Sequence, residues 1–522
     1  MPDARPGPPA LMVQGTCSDA GKSLITAALC RLFARWGLRV APFKAQNMAL
    51  NSFVTLKGEE MGRAQALQAA ACGLEPDARM NPVLLKPVSD QGSQVIVLGR
   101  PVGMMRVREY MAYKRRAWKA VCRAWAELSA GQDVMVLEGA GSPAEINLRR
   151  HDIVNMHMAA HAGARVLLVA DIDRGGAFAA LAGTMSLLGR ADRARVAGYA
   201  LNRFRGDASL LGPALTAVSR RTRRPFFGVI PMIPDLRLPE EDSVSFKLGK
   251  SPGIAAPGRP AGEASAAPGL LDVALIDLPH ISNVTDCDAL RAEPGLRLRM
   301  VRRPEELGAP ALVILPGSRN SLKDMEFLRA SGLADALCAH ARACLARRRG
   351  MVAGICGGLQ LLGDRIHDPL GLEAGTGGAK SVPALGLLPL VTELAPGKTL
   401  RRTEGTALPE LAGGALPVAG YEIHHGVSES LGAPVIMRDK EGEALGWGSL
   451  DAGNTARIWG SYLHGVFDSD SFRHALLGRL RREAGLPSMP GARWDLGPEL
   501  DRVADVVAAS LDMAAIDRLL GL

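Results

Sequence analysis

Residues 11–33 read LMVQGTCSDAGKSLITAALCRLF, which predicts a buried strand, a tight loop closed by Lys22 and Ser23, and then a helix. In such a loop the backbone N–H groups and the helix N-terminus cradle phosphates, the lysine reaches the outer phosphates, and the serine hydroxyl binds Mg²⁺. Thr16 stands where the usual spacing has a glycine, and Gly15 comes one residue earlier. A glycine-rich turn before an ordinary helix is the alternative, but the order of strand, loop and helix favours a nucleotide site.

Polar side chains at the ends of other apolar runs point to the same site. Glu138 ends the run VMVLE, where an acid can serve Mg²⁺, although a polar strand end is the simpler explanation. Lys44 and Asn47 follow a second run, and Asp171 and Asp173 follow a third. Open α/β sheets bind ligands at the carboxyl ends of their strands, so we expect these side chains at one edge, with Lys44 and Asn47 near phosphate or substrate.

Apolar runs alternate with helix-like stretches along most of the chain, which predicts an α/β fold with mostly parallel sheets covered by helices on both faces. The runs are near-continuously apolar, as in strands buried on both sides. The ten predicted strands are PALMVQG (9–15), LRVAPFK (38–44), DVMVLEG (133–139), ARVLLVAD (164–171), RVAGYALN (195–202), PFFGVIP (225–231), LDVALIDL (271–278), APALVILPGS (309–318), GMVAGICGG (350–358) and ARIWGSYLHG (456–465).

A stretch without apolar periodicity divides the chain in two. Residues 248–270 are rich in Pro, Gly, Ala and Ser and predict a linker. We therefore expect one α/β domain at 1–247, a second at 271–485, and a C-terminal helical tail at 486–522.

The sequence GMVAGICGGLQLLG at 350–363 predicts a nucleophile at a sharp strand-to-helix turn. Glycines on both sides of Cys356 permit the strained turn that exposes its side chain, and the helix N-terminus favours the thiolate. The N–H of Gly357 is placed for an oxyanion hole, with a second donor expected near Gly317 or Ser318. A buried structural cysteine is the alternative.

Ten histidines compete to be the base that such a nucleophile needs. His464 comes just past the end of a predicted strand and is the first choice, with His424 and His425 next. His157 and His161 are four residues apart, but the glutamate of a HExxH zinc helix is missing, so we interpret them as ordinary residues of a helix face.

Composition excludes several classes of protein. The 522 residues are 47% apolar and 22% charged, as in globular proteins, and no apolar stretch is long enough to cross a membrane. The first ten residues lack the pattern of a secretory signal, and eight scattered cysteines without a CxxC pair are typical of reduced thiols. We predict a cytoplasmic protein.

The formal net charge of +9 has three explanations: a nucleic-acid partner, an anionic small substrate, or a solvated surface. The densest basic runs, at 114–116 and 347–349, lie in helix-like stretches without interleaved aromatic residues. Stacking on bases needs such residues, so a small anion or plain solvation is favoured over nucleic acid. Neither a nucleic-acid nor a membrane partner is predicted, and the oligomeric state is left open.

The first half resembles the dethiobiotin-synthetase-like branch of P-loop proteins, whose loop begins with Gly-Thr as Gly15 and Thr16 do here. The resemblance implies that ATP phosphorylates a carboxylate for attack by an amine, and that Asn202 contacts the adenine. The related partition ATPases carry a signature lysine at the position of Cys17, which counts against them. The residues expected at the nucleotide and its Mg²⁺ are Gly15, Thr16, Ser18, Asp19, Gly21, Lys22, Ser23, Glu138 and Asn202.

The stretch around Cys356 resembles the class I, or triad, glutamine amidotransferases, whose elbow is Gly-x-Cys-x-Gly. The resemblance implies that Cys356 is the nucleophile, that Gln360 helps hold the glutamine substrate, and that His464 is the general base. That family often has His-Pro-Glu, whereas the residue two after His464 is a valine. The third member of the triad is therefore open, with Glu422 and Asp468 as candidates.

Together the two halves resemble the cobyric acid synthase family. The stretches that carry the resemblance are QGTCSDAGKS (14–23), PFKAQNMALNS (42–52), MGRAQALQAAAC (61–72), MNPVLLKP (80–87), LEGAGSPAEINL (137–148), DIDRGGAFA (171–179) and GYEIHHG (420–426). The resemblance implies a corrinoid substrate, adenosylcobyrinic acid a,c-diamide, whose b, d, e and g carboxylates become amides with one ATP and one glutamine consumed at each.

Three alternatives stay open. The first is an enzyme of the cobyrinic acid a,c-diamide synthase type, which amidates different carboxylates. The second is a P-loop regulatory or partitioning ATPase with an inactive amidotransferase module. The third is a glutamine-dependent ligase that acts on cell-wall carboxylates.

Overall fold

The computed structural model describes residues 7–89, 92–239, 254–255, 269–374 and 378–522. Most of the predicted linker at 248–270 lies outside these residues. The chain divides into two compact units, and each is an α/β fold, as predicted. The first unit comprises Met1–Thr55, Glu59–Glu241 and Asp495–Leu522, and the second comprises Leu56–Gly58 and Asp242–Trp494.

Elements are labelled in chain order. The described strands before residue 240 are β1 Ala10–Gly15, β2 Val40–Phe43, β3 Gln46–Met48, β4 Ser52–Val54, β5 Glu60–Gly62, β6 Val83–Ser89, β7 Gly92–Val97, β8 Arg100–Arg106, β9 Val134–Glu138, β10 Arg165–Asp171, β11 Val196–Phe204 and β12 Phe226–Pro231. The helices there are α1 Lys22–Arg35, α2 Arg63–Ala71, α3 Val107–Ser129, α4 Met156–His161, α5 Ala177–Leu187, α6 Arg190–Arg195 and α7 Gly212–Thr222.

The remaining described strands are β13 Ile254–Ala255, β14 Leu271–Ile276, β15 Ile281–Ser282, β16 Leu296–Val301, β17 Leu312–Leu315, β18 Gly317–Ser318, β19 Met351–Ile355, β20 Arg365–Asp368, β21 Lys380–Pro383, β22 Leu390–Ala407, β23 Leu416–Ser430, β24 Val435–Asp439, β25 Ala444–Leu450 and β26 Ala456–Ser461. The helices are α8 Asp288–Arg291, α9 Pro304–Leu307, α10 Ser321–Ala330, α11 Leu333–Arg347, α12 Gly357–Leu362, α13 Pro409–Ala412, α14 Asp470–Glu483, α15 Gly497–Ser510 and α16 Met513–Leu520.

The first unit is built on a six-stranded sheet in the order β12-β11-β10-β1-β9-β2, in which every neighbouring pair is parallel. Successive side chains of a strand point to opposite faces. In β1, Leu11 and Val13 therefore enter one apolar core, whereas Met12 enters the core on the other face. The loops that follow β1, β2 and β9 come together at the carboxyl edge of the sheet, where ligands bind in folds of this kind.

The C-terminal helices α15 and α16 belong to the first unit. They join the apolar core that α1 covers, and Arg31 Nε lies 2.8 Å from Asp501 Oδ1. Of the predicted tail at 486–522, residues up to 494 group with the second unit and the rest with the first. The first unit also holds a four-stranded sheet, β3-β6-β7-β8, and the hairpin β4-β5, which the sequence did not predict.

The second unit is built on a sheet of twelve described strands. Its first six, in the order β13-β16-β14-β17-β19-β26, are paired in parallel. The sheet then continues through antiparallel pairs of β25, β24, β22 and β23, an extension that the sequence did not predict. Among the described residues, every helix is too short or too polar to span a bilayer.

Candidate active sites

The loop between β1 and α1 has the backbone of an anion cradle. Asp19 and Gly21 both have positive φ angles, of 58° and 94°, which turn the chain sharply into the helix. Gly21 has no room for a side chain, because a Cβ there would lie 2.0 Å from Asn202 Nδ2. That amide nitrogen donates a hydrogen bond of 2.9 Å to the carbonyl oxygen of Ala20. Asn202 therefore supports the loop from the end of β11, and its expected contact with adenine stays a prediction.

The predicted phosphate-binding side chains lie in or beside this loop. Lys22 Nζ donates to the carbonyl oxygen of Cys17 at 3.0 Å, so the ammonium group lies over the loop that it closes. Ser18 and Asp19 are exposed, and Asp19 pairs with Arg174 at 3.2 Å. The backbone N–H of Thr16 donates to the carbonyl oxygen of Val169, which ties the start of the loop to β10.

Glu138, at the end of β9, is fully buried and is the centre of a polar cluster. Its Oε1 accepts hydrogen bonds from Ser23 Oγ at 2.7 Å and from Lys44 Nζ at 2.8 Å. Its Oε2 accepts from Gln68 Nε2 at 2.6 Å and from Gln65 Nε2 at 3.3 Å. The structure thus brings together Ser23, Lys44 and Glu138, which we singled out separately from the sequence.

Gln65 and Gln68 were missed by the sequence reasoning. They are three residues apart on α2, a spacing that puts two side chains on one face of a helix. Asn47 joins the same network through Gln65, whose Oε1 accepts from Asn47 Nδ2 at 3.0 Å. The signal was present in the stretch MGRAQALQAAAC, where two amides occur in a helix that is mostly alanine.

The cluster suits a magnesium ion bound with a nucleotide. Mg²⁺ prefers hard oxygen ligands and is commonly held by one or two carboxylates together with substrate phosphates. Glu138 supplies a carboxylate and Ser23 a hydroxyl. Gln68 Oε1 is buried and has no hydrogen-bond partner, so this cluster offers a further oxygen that could bind an ion. In the described part of the chain, no group of three or more His, Cys, Asp or Glu side chains forms another metal site.

Cys356 occupies a strained turn between β19 and α12. Its φ and ψ angles are 52° and −106°, a conformation that non-glycine residues rarely adopt and that persists only where the surroundings impose it. The next turn packs directly against β17, since a Cβ on Gly358 would lie 2.0 Å from the carbonyl oxygen of Leu315. This geometry matches the nucleophile elbow expected from the glycine pattern.

His464 follows β26 and is almost completely buried next to Cys356. Its Nδ1 lies 2.7 Å from Asp286 Oδ2, and the N–H of Gly465 donates to Asp286 Oδ1 at 2.8 Å. The ring stacks on Tyr421, with 5.3 Å between the ring centres. Burial alone would lower the pKa of His464, but the charges of Asp286 and Cys356, together with hydrogen bonds to both side chains, raise it to about 10. The surroundings of the imidazole therefore favour its protonated form.

Asp286, rather than Glu422 or Asp468, is the carboxylate that contacts His464. Glu422 is committed elsewhere, since it accepts hydrogen bonds from Arg401 Nε at 2.6 Å and from Thr403 Oγ1 at 2.7 Å. The backbone N–H of Asp468 donates to the carbonyl oxygen of Gly465 at 2.8 Å. The hydrogen bonds of His464 that the structure shows go to neither of the two carboxylates suggested by the sequence.

Backbone geometry delivers Asp286 to the histidine. After β14 the chain forms the short strand β15, which pairs antiparallel with β18 at Ser282 and Gly317. Asn283 then adopts a positive φ of 51° and starts the 3₁₀ turn Val284–Cys287 that carries Asp286. Asp286 precedes His464 by 178 residues and lies in no recognisable motif, so no local pattern could have revealed it.

The predicted oxyanion-hole residues meet at the same place. A Cβ on Gly357 would lie 2.6 Å from the backbone nitrogen of Ser318, and a Cβ on Gly317 would lie 3.1 Å from His464 Cε1. The N–H of Gly357 and the backbone at 317–318 therefore flank the cysteine and the histidine. Donors in this arrangement can stabilise negative charge that develops on a carbonyl oxygen during attack.

Gln360 and two aromatic rings form one wall beside the elbow. The amide of Gln360 approaches Gly426 closely, since a Cβ there would lie 2.3 Å from Gln360 Nε2. Tyr462 stacks on His424 with 3.8 Å between ring centres, and burial raises the pKa of its hydroxyl. His425 turns away, with Nδ1 3.2 Å from the carbonyl oxygen of Ala395. Of the three histidines considered for the base, His464 is the one that contacts both a carboxylate, that of Asp286, and the side chain of Cys356.

The histidine pair on α4 packs on an aromatic ring. His157 and His161 both contact Trp118 edge-on, with 4.3 and 5.2 Å between ring centres. Burial lowers the pKa of His161, as does the neighbouring His157. Both side chains therefore have packing partners on α3.

Comparison with known proteins finds relatives over the whole chain. Residues 11–246 match the CobQ/CobB/MinD/ParA nucleotide binding domain, and residues 272–472 match the CobB/CobQ-like glutamine amidotransferase domain. The chain is 52% identical over 546 residues to the cobyric acid synthase of Nitratidesulfovibrio vulgaris, covering 98% of both chains. It is 47% identical over 533 residues to that of Sorangium cellulosum, again covering 98% of both. It is 47% identical over 520 residues to that of Desulforudis audaxviator, covering 98% of this chain and 99% of the relative.

Proposed function

This chain belongs to the cobyric acid synthase family of cobalamin biosynthesis, and we propose that it amidates four carboxylates of adenosylcobyrinic acid a,c-diamide. These are the carboxylates at positions b, d, e and g. Each amidation consumes one ATP and takes its nitrogen from one glutamine. The product is adenosylcobyric acid, and the enzyme is a glutamine-hydrolysing carbon–nitrogen ligase that works in the cytoplasm on a small corrinoid.

The observation that carries the proposal is the buried array of Asp286, His464 and Cys356 at a strained turn. Cys356 as nucleophile, His464 as base and Asp286 as orienting carboxylate are the parts needed for acyl transfer from an amide. An inactive amidotransferase module would have no need to keep a nucleophile in strained backbone beside a buried ion pair. The regulatory-ATPase alternative is disfavoured for that reason.

Glutamine hydrolysis follows from the geometry. The thiolate of Cys356 attacks the carboxamide carbon of glutamine, and the oxygen charge that develops faces the N–H groups at Gly357 and 317–318. His464 donates its proton to the departing nitrogen, which leaves as ammonia. A water molecule, deprotonated by His464, then hydrolyses the thioester and releases glutamate. Asp286 holds the imidazole in one orientation and stabilises its protonated form throughout.

The first unit activates the carboxylate that receives the ammonia. The loop N–H groups and Lys22 bind the phosphates of ATP, and the ammonium group of Lys22 draws charge from the transferred phosphoryl group. Ser23 and Glu138 would hold Mg²⁺, which supplies Lewis-acid stabilisation of the phosphate oxygens when bound. The substrate carboxylate attacks the γ-phosphorus, ADP leaves, and ammonia displaces phosphate from the acyl phosphate to give the amide. Lys44 and Asn47 lie at the same edge and are suited to orient the carboxylate.

The choice of acceptor tests this proposal. Purified protein with MgATP and glutamine is offered adenosylcobyrinic acid a,c-diamide, the unamidated polyacid or a cell-wall sugar-peptide carboxylate, and acceptor-dependent ADP release is measured. The proposal predicts release with the a,c-diamide in preference to the other two. Preference for the unamidated polyacid would assign the chain to the a,c-diamide synthase type, and preference for the cell-wall acceptor would overturn a corrinoid substrate.

A further inference from the structure

The carboxylate at the centre of the proposed metal site has no lone pair left for a metal. Glu138 accepts four hydrogen bonds, two at each oxygen, from Ser23, Lys44, Gln65 and Gln68. A carboxylate offers about four lone-pair positions, so this set fills its capacity. Inner-sphere binding of a cation to Glu138 therefore requires at least one of these donors to leave.

Lys44 is the donor whose place a metal would take. Its ammonium group shares Oε1 with the hydroxyl of Ser23, and Ser23 is the residue whose hydroxyl binds Mg²⁺ in loops of this kind. The two glutamine amides instead hold Oε2, so they can keep the carboxylate in position while Oε1 changes partner. A metal and an ammonium group at one carboxylate oxygen repel each other, which favours occupation by one at a time.

Burial explains why a cation is needed when nucleotide is absent. Glu138 is fully buried and Lys44 is 3% exposed. An uncompensated buried carboxylate is strongly destabilising. The ammonium group of Lys44 neutralises that charge within the protein itself.

We propose that Lys44 is a resident counter-cation of the metal site, which neutralises Glu138 in the nucleotide-free enzyme and leaves Oε1 when Mg²⁺ arrives with ATP. This inference rests on the proposed function, because it takes Ser23 and Glu138 as the metal ligands. Its consequence is an order of events: the ammonium group becomes available to the phosphoryl group and the substrate carboxylate only after metal and nucleotide are in place. The buried Gln68 Oε1, which lacks a hydrogen-bond partner, is a further oxygen for the incoming ion.

Metal binding without turnover tests the exchange. Free Mn²⁺ is measured by electron paramagnetic resonance while MnCl₂ is added to the full-length protein, first alone and then with the β,γ-imido analogue of ATP. Wild type should bind Mn²⁺ weakly alone and tightly with the analogue. Lys44→Met removes the competing cation. Without the analogue, this variant should bind Mn²⁺ at least about tenfold more tightly than wild type. Mn²⁺ should also raise the melting temperature of this variant more than that of wild type.

Lys86→Met is the matched control, because the partly buried Lys86 lies 2.8 Å from Glu60, a fully buried carboxylate of the same unit. It likewise removes a cation beside a buried carboxylate and should leave Mn²⁺ affinity within about twofold of wild type. If Lys44→Met does not fold, Lys44→Gln removes the charge while keeping a polar side chain and should show a gain in the same direction.

The outcomes distinguish failure of the counter-cation role from failure of the proposed metal–nucleotide site. Equal Mn²⁺ affinity in wild type and in the folded Lys44 variant, with tight binding retained in the presence of the analogue, overturns the counter-cation role alone. The same gain in Lys86→Met also overturns it, because the effect is then not specific to Glu138. Absence of Mn²⁺ binding to wild type even with the analogue contradicts the proposed metal–nucleotide site itself.

Discussion

Replacement of Asp286 by Asn should disable glutamine hydrolysis while leaving the synthetase reaction intact. Burial lowers the pKa of His464, and the charge of Asp286 is the largest of the effects that raise it to about 10. The ordinary value is 6.5, and each pKa unit corresponds to about 1.4 kcal/mol, so the imidazolium is stabilised by roughly 5 kcal/mol in all. Loss of the Asp286 charge removes the largest of the favourable contributions to this stabilisation. Asn also presents the wrong hydrogen-bonding group to Nδ1, which disturbs the tautomer. We expect glutaminase kcat/KM to fall by about 10²–10⁴-fold.

The assay measures glutamate release and, separately, amidation with ammonium chloride as the nitrogen source. His464 must be protonated to donate to the departing ammonia, so activity falls as pH rises through the pKa of His464. In Asp286→Asn this loss should begin at lower pH than in wild type, by roughly one unit or more. Ammonium-driven amidation should be unchanged, which shows that the protein is folded.

Asp288→Asn is the matched control, because Asp288 is equally buried two residues further on but pairs with Arg291 at 3.0 Å. It should retain glutaminase activity within about threefold. Glu422→Gln tests the carboxylate that the sequence suggested. Wild-type glutaminase activity in Asp286→Asn, or an equal loss in both aspartate variants, would refute the orienting role of Asp286.

Three further predictions concern other parts of the molecule. Cys356→Ala should lower glutamine-driven amidation by about 10⁴-fold or more but retain amidation with ammonium salt; full glutaminase activity would show that the nucleophile is misassigned. Lys22→Ala should lower amidation with either nitrogen source by about 10²–10³-fold while glutamine hydrolysis persists, so unchanged ADP release would exclude Lys22 from the phosphate site. Arg473→Leu should destabilise the second unit by about 3–5 kcal/mol in chemical denaturation, because it removes the guanidinium whose Nε lies 2.6 Å from the buried Glu293. The double variant Arg473→Leu/Glu293→Leu should recover much of this loss, and an equally unstable double variant would argue against that cause.

Most of the strands that were predicted from sequence are buried on both faces. Each of the ten apolar runs contains a strand that pairs in parallel with a neighbour, and the first six make up the whole six-stranded sheet of the first unit. A strand covered by helices on both sides must be apolar at every position, and that pattern stands out without any knowledge of its neighbours. The resemblance to the cobyric acid synthase family is also confirmed.

The strands that were missed have weaker patterns for physical reasons. β8 is exposed along almost its whole length, so no apolar run marks it. β22 alternates buried and exposed residues and contains Pro396 and Gly397 at a register shift, so no continuous apolar run marks it. Antiparallel edges of this kind are defined by their partners more than by local sequence.

The candidate sites also contain residues with a local sequence pattern and residues without one. Lys22, Ser23 and Cys356 were predicted because glycine-rich turns leave a local signature, and Glu138 and Lys44 because they end apolar runs. Asp286, Gln65 and Gln68 act on these groups from other elements, and their roles appear only when the fold brings them together. Side chains that support a catalytic group rarely carry a motif of their own.

Mass spectrometry of the corrinoid product tests the central claim most directly. The protein is incubated with adenosylcobyrinic acid a,c-diamide, MgATP and either unlabelled or amide-¹⁵N glutamine. The account predicts a stepwise loss of about one mass unit per amidation that stops after the fourth with unlabelled glutamine. It also predicts a final product four mass units heavier with the labelled donor. An unchanged corrinoid mass, while glutamine is hydrolysed and ATP consumed, would contradict the assignment of this substrate.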